Sequence, residues 1–255
     1  MNYYSCCGSH IGRVRGNNED NLNQNGWVPS DHDLEEGFVR TVKTKDAFSA
    51  CVCDGMGGES YGERASRLAA ETFSSFLKID SEEKLREFTD KSNRGVCKMM
   101  VEQNARIGTT FAGVYLSGSC AYISNVGDSK IFRIADGRIE QLSVDHTELQ
   151  VMLENKVITT EQAESGRFRN CLTQNLGIFE DEMILEPSFS CCAENVGDRF
   201  LICSDGLTDM LKKDEILSVV LKNSDLERAV VELVKAALSR GGKDNITVVL
   251  MLCTD

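Results

Sequence analysis

An aspartate recurs at the edges of the most apolar runs in this chain. Residues 48–53 run into Asp54-Gly55-Met56-Gly57-Gly58, residues 122–126 into Gly127-Asp128-Ser129, and residues 200–203 into Ser204-Asp205-Gly206. Asp244-Asn245 stands directly before the run 246–253. Short apolar runs of this kind read as buried strands. If they share one sheet system, their ends bring carboxylates from distant sequence together. Several ionised carboxylates cannot occupy one low-dielectric site unless cations neutralise them. An all-oxygen donor set suits a hard divalent ion, Mg²⁺ or Mn²⁺. One Asp-Gly alone is an ordinary turn dipeptide. Asp136-Gly137, between the runs 130–134 and 138–142, is read that way, as a tight hairpin without chemistry.

Other chemistries fit less well. Gly55-x-Gly57 follows a strand-like run and precedes a helical one, as a dinucleotide-binding turn does, but its third position is Ser60. Asp54 would also face a pyrophosphate there. Gly242-Lys243 is followed by Asp244 and does not make a P-loop. The 11 cysteines include no C-x-x-C and the 3 histidines are scattered, which disfavours zinc. Cys51, Cys53, Cys120, Cys203 and Cys253 lie in apolar runs and read as small buried hydrophobes.

The elements that must position these acids follow from patterning. Strand-like runs span 48–53, 110–116, 120–126, 130–134, 138–142, 200–203 and 246–253. Helical spacing marks 61–77, through Ala65, Leu68, Ala69, Phe73, Phe76 and Leu77. It also marks 225–239, through Leu226, Val230, Leu233, Val234 and Ala237, with Ser224 as N-cap. Many strands with few helices between them predict a largely antiparallel α+β fold. No repeat or linker divides the chain, so a single domain over 1–255 is expected. Residues 150–174 are polar and mixed, and read as a mostly helical surface excursion, while 27–45 reads as an irregular loop. The 40 acidic against 28 basic residues give a formal charge of −12, which argues against nucleic acid or an anionic membrane as partner. No apolar stretch is long enough for a signal-peptide core or a membrane span, so a cytoplasmic protein is expected.

Taken in order, the motifs Gly12-Arg13-Val14-Arg15-Gly16-Asn17-Asn18-Glu19-Asp20, Val52-Cys53-Asp54-Gly55-Met56-Gly57-Gly58 and Gly108-Thr109-Thr110 open a set. Asn125-Val126-Gly127-Asp128-Ser129, Asp145-His146-Thr147, Ser204-Asp205-Gly206-Leu207-Thr208-Asp209 and Asp244-Asn245-Ile246-Thr247 complete it. The ordered set resembles the metal-dependent Ser/Thr protein phosphatases, the protein phosphatase 2C family, in its bacterial-type branch. The resemblance spans about residues 12–249.

It implies a four-layer α-β-β-α sandwich with two central antiparallel sheets and a flap at about 150–174. It implies two Mn²⁺ or Mg²⁺ ions held by Asp54, which bridges them and positions the water, by the Gly55 carbonyl, and by Asp205 and Asp244. Glu19 and Asp20 would act through water, Arg15 would bind the substrate phosphate, and Asp128 with Asp205 or Asp209 would form a third-metal site. Phosphoserine and phosphothreonine in proteins would be hydrolysed by direct attack of a metal-activated water, without a Cys or Ser nucleophile. Position 56, where some members carry a candidate acid His, is Met, and no His is assigned to catalysis. A cognate Ser/Thr kinase and a monomeric state are implied expectations. Arg167 and Arg169 are candidate phosphopeptide contacts, with solvated surface charge the simpler reading. A partner-binding pseudophosphatase and a hydrolase of small phosphorylated metabolites are the alternatives.

Overall fold

The structure is a computed structural model that describes residues 1–57, 61–164 and 171–255. Its strands are β1 (Asn2–His10), β2 (Asp20–Gln24), β3 (Phe38–Lys45), β4 (Phe48–Gly57), β5 (Ile107–Thr109), β6 (Phe111–Leu116), β7 (Cys120–Val126), β8 (Lys130–Ala135), β9 (Arg138–Gln141), β10 (Ser188–Ala193), β11 (Arg199–Cys203) and β12 (Ile246–Thr254). Its helices are α1 (Asp31–Glu36), α2 (Gly62–Phe73), α3 (Glu82–Gln103), α4 (Glu148–Glu154), α5 (Thr160–Glu164), α6 (Asp205–Thr208), α7 (Lys213–Lys222) and α8 (Leu226–Ser239).

Strand β12 shows why the apolar runs are continuous. Val249, Met251 and Cys253 point into a core shared with Phe48, Val114 and Phe200, while Ile246, Val248 and Leu250 pack on Leu226, Val230 and Leu233 of α8. Side chains alternate between faces with period two, so a strand covered on both faces is apolar throughout. Two sheets result, β3-β1-β12-β11-β8-β9 and β10-β7-β6-β4-β2, with β5 pairing the far end of β4. The pairings are antiparallel, from β1–β12 to β2–β4 and β4–β6. The first sheet is covered by α6, α7 and α8. The second is covered by α2 and α3, whose Ala69, Phe73 and Phe88 pack on Cys51, Cys53 and Phe111. The order of layers is α-β-β-α, as expected. No helix among the described residues is long and apolar enough to cross a membrane.

Several expectations need correction. Residues 27–45 are not an irregular loop. Ser30 makes a capping box with Asp33 to start α1, and β3 follows as an edge strand whose side chains alternate in burial. Helix α2 stops at Phe73. Phe76 and Leu77 still pack on the same core, but from a turn. Helix α8 is capped by Asp225, whose carboxylate accepts the Glu227 N–H, and not by Ser224. The 22-residue α3 is not marked by apolar spacing because its inner face mixes Leu85, Phe88, Val96 and Met100 with buried Thr89, Ser92 and Asn93, which breaks the stripe. Cys120 is half-buried, whereas Cys51, Cys53, Cys203 and Cys253 are buried as expected. The Asp136-Gly137 hairpin joins β8 to β9 with Ala135 opposite Arg138. The excursion begins at α4, two residues before 150, and continues in α5. Arg167 and Arg169 lie outside the described residues.

One contact sets the spacing of the layers near the strand ends. A Cβ at Gly206 would stand 1.9 Å from the backbone oxygen of Asn245, so the start of α6 closes onto the start of β12 only with glycine there. Gly206→Ala therefore lowers stability by about 1–3 kcal/mol, the range for overpacking. Urea unfolding checks this, and an unchanged midpoint would contradict the close packing.

Candidate metal centre

Strands β2 and β4 run side by side with Asp20 directly opposite Asp54. Paired residues on one face have Cβ atoms about 4.5–5.5 Å apart, and like charges there repel. The backbone holds this arrangement firmly. The Asp54 N–H donates to Thr110 Oγ1 at 2.9 Å, and its carbonyl accepts from Thr110 N at 2.8 Å and Thr109 Oγ1 at 2.9 Å. Asp54 therefore sits within β4 rather than past its end. Next to it, a Cβ at Gly55 would meet the Gly62 and Glu19 carbonyl oxygens at 2.2 and 2.5 Å, so β2, β4 and α2 converge there.

The other sheet supplies Asp205 at the first turn of α6 and Asp244 just before β12. Ser204 ties the two sheets. Its hydroxyl donates to Asp20 Oδ2 at 2.7 Å and accepts the Thr247 N–H at 3.0 Å. Asn245 fixes the approach loop: its Nδ2 donates to the Ile11 and Asn17 carbonyls at 2.8 and 2.9 Å, and its Oδ1 accepts the Glu19 N–H at 2.8 Å. Arg15 stands on that loop, exposed, with Nη2 2.6 Å from Asp244 Oδ2. In the sequence, Thr110, Ser204 and Asn245 carry no sign of a role beyond their place in the motifs. Only the fold shows that they hold the acids and the loop in place.

Asp128, in the turn after β7, is buried, and its charge bears on Asp205. Asp209, at the end of α6, is exposed and bears on Asp205 as well. The expected third-site residues thus lie beside the main group, but a cation that sequence reading missed lies there too. Lys130, ion-paired with Asp145, lowers the carboxyl affinity for protons at both Asp128 and Asp209. Among the histidines, His146 accepts the Gly127 N–H through Nδ1, and its Nε2 is 2.8 Å from Ser188 Oγ, which makes it a structural pin. Burial pushes the Cys203 thiol up to about 12 and Cys53 upward as well, so neither is a nucleophile.

Asp54 and Asp205 keep some surface but have protein on almost every side. That desolvation, followed by the charges of Asp20, Asp205, Asp128 and Asp244, pushes the Asp54 carboxyl well above the usual range. Burial likewise pushes Asp20 up to about 7 and Asp205 to about 8. Asp20 Oδ1 and Asp205 Oδ1 are buried without a hydrogen-bond partner. Among the described residues no three acidic, His or Cys side chains already stand as a closed ligand set. Asp244 is turned instead toward Arg15. Unpartnered carboxylate oxygens in a group of mutually repelling acids fit hard divalent cations in charge and in donor type.

Known proteins share this arrangement of chain. The profile described as Protein phosphatase 2C matches residues 36–250. The Arg15–Asp20 segment precedes that match. A putative protein phosphatase 2C-type from Streptococcus pyogenes is 30% identical over 249 residues, 94% of each chain. Protein phosphatase PhpP from Streptococcus pneumoniae is 29% identical, also over 94% of each. The crystal structure of the catalytic domain of the serine threonine protein phosphatase PstP in complex with 2 manganese ions superposes with a TM-score of 0.79. It is 26% identical and covers 100% of both chains.

A pH effect follows from the buried acids. Between about pH 4 and pH 8 the folded, metal-free protein retains protons that the unfolded chain has already released. Its stability therefore falls as pH rises through that window, and the loss is complete above the folded values. In chelator, the melting temperature should drop between about pH 5 and pH 8, and Asp54→Asn should raise it at the upper pH by about 3–10 °C. Circular dichroism melts check both, and a metal-free protein most stable at the higher pH would contradict the carboxylate repulsion.

Proposed function

The chain belongs to the protein phosphatase 2C family, and from that premise we propose that it hydrolyses phosphoserine and phosphothreonine in proteins with Mn²⁺ or Mg²⁺ as cofactor. The observation that carries this reading is the convergence of Asp54, Asp205 and Asp244 from two sheets, with Arg15 at the edge of the group. Asp54, the Gly55 carbonyl, Asp205 and Asp244 would hold two cations, with Asp54 common to both. When bound, such cations lower the pKa of water and clamp phosphate oxygens for in-line attack.

The chain's own residues account for the rest. Arg15 offers a planar, always-charged fork to two phosphate oxygens. Its exposure suits a phosphate arriving on a protein surface. Asp20 is anchored through Oδ2 by Ser204, which leaves Oδ1 as an acceptor for water, and Glu19 stands at the adjacent position of the same loop. Asp128 and Asp209 would form a third cation site of lower affinity, because Lys130 already supplies positive charge there. Both ring nitrogens of His146 are engaged, with Gly127 and Ser188, so it is not free to protonate the leaving alkoxide. We further read the chain as one catalytic domain, monomeric and cytoplasmic, that reverses the work of a Ser/Thr kinase.

The test is turnover. p-Nitrophenyl phosphate and a phosphothreonine peptide should be hydrolysed with Mn²⁺, and EDTA should abolish the activity. Asp205→Ala or Asp244→Ala should lower kcat by about 10²-fold or more, whereas Arg15→Ala should mainly raise KM. Hydrolysis that persists in EDTA would overturn the metal-dependent reading, and an Arg15→Ala enzyme with unchanged KM and kcat would remove the phosphate role.

A further inference from the structure

Both oxygens of Asp244 are engaged. Oδ1 accepts the Asn245 N–H at 2.9 Å, and Oδ2 accepts Arg15 Nη2 at 2.6 Å. The second partner is the proposed phosphate contact, closed onto a proposed metal ligand. The backbone on either side of Arg15 is fixed: Arg13 N donates to the Gly242 carbonyl at 2.8 Å, and Asn245 Nδ2 holds the carbonyls of Ile11 and Asn17. Between these anchors Val14 is exposed, and the Arg15 side chain is 49% exposed. A long side chain on a fixed backbone can therefore change partner without moving the loop. The guanidinium also lies within the field of Glu19 and Asp205, so acids on both sides of the centre draw it inward.

We propose that Arg15 is a latch on Asp244. The guanidinium and a divalent cation compete for one carboxylate, so metal loading releases Arg15 for phosphate. Phosphate held on Arg15 strengthens metal binding by the same factor, as linkage requires. The latch is weak because the pair is solvent-exposed, so it sets the order of events without blocking them. The proposal rests on the reading of Asp244 as a metal ligand and Arg15 as a phosphate contact. It adds that these two sites communicate through a direct contact rather than through the intervening fold.

Calorimetric titration of chelator-stripped full chain with MnCl₂ tests it. The site that uses Asp244 is identified by its loss in Asp244→Asn. At that site Arg15→Gln should bind Mn²⁺ about two- to five-fold more tightly than the native chain, the scale of an exposed ion pair. Arg15→Lys, which keeps a charge that can pair with Asp244, should lie close to native. Arg13→Gln removes a charge from the same loop without touching Asp244 and should change nothing. Inorganic phosphate should bind more tightly with Mn²⁺ present, both by direct contact with the cations and through the freed Arg15, so Arg15→Gln should keep only part of that gain. Equal or weaker Mn²⁺ binding by Arg15→Gln would overturn the latch, as would an equal gain in Arg13→Gln, which would assign the effect to net charge. If the native chain takes up no Mn²⁺ at all, the metal reading falls and the latch with it. Native Mn²⁺ binding with no response at Arg15 removes the latch alone.

Discussion

Two aspartates facing one another across adjacent strands impose the constraint on which this structure turns. Asp20 and Asp54 are cross-strand partners in the second sheet, Asp205 and Asp244 add their charges from the ends of β11 and β12 in the first, and Asp128 adds its own from the turn between β7 and β8. A protein gains nothing in stability from packing like charges where solvent is scarce. The fold nevertheless commits strong backbone bonds to hold them: Thr109 and Thr110 on Asp54, Ser204 on Asp20, Asn245 on the loop that leads to Glu19. Firm support for an electrostatically costly group is the mark of a site built for a ligand of opposite charge.

The four layers exist to make that support rigid. Strands covered on both faces bury β4 and β12 almost completely, so the acids extend from elements that cannot yield. The tight approaches at Gly55 and Gly206 bring a neighbouring strand, helix or turn close enough that carboxylates from residues 20 and 244 reach one region. Arg15 is the contrast. It sits on an exposed loop whose ends are pinned, which gives this cation at the edge of the centre freedom to exchange partners.

Much of this was legible in the residues. Asp54, Asp128, Asp205 and Asp244 announce themselves because each borders a strongly apolar strand, and the ordered motifs gave family and layer order. What was hidden has physical reasons. Helix α3 buries the polar Thr89, Ser92 and Asn93 on its inner face, with Thr89 bonded to the Leu85 carbonyl and Asn93 holding the Ile178 carbonyl and the Gly177 and Ile178 N–H groups, so its periodicity is blurred. Strand β3 alternates half-buried and exposed side chains but begins next to a six-residue helix, and the two together resemble a loop in composition. The pairing of Asp20 with Asp54 depends on register between strands far apart in sequence, which no local pattern encodes. Lys130 carries no sign in sequence that it faces Asp128 and Asp209 rather than solvent.

The central claim is that this carboxylate group exists to hold divalent cations. The most direct measurement is an anomalous difference map from a crystal of the Mn²⁺-loaded protein. Two peaks sharing the Asp54 carboxylate, with Asp205 and Asp244 as further ligands and Arg15 turned away from Asp244, are the predicted result. A map with no peak at Asp54, or with manganese only at surface acids, would contradict the account.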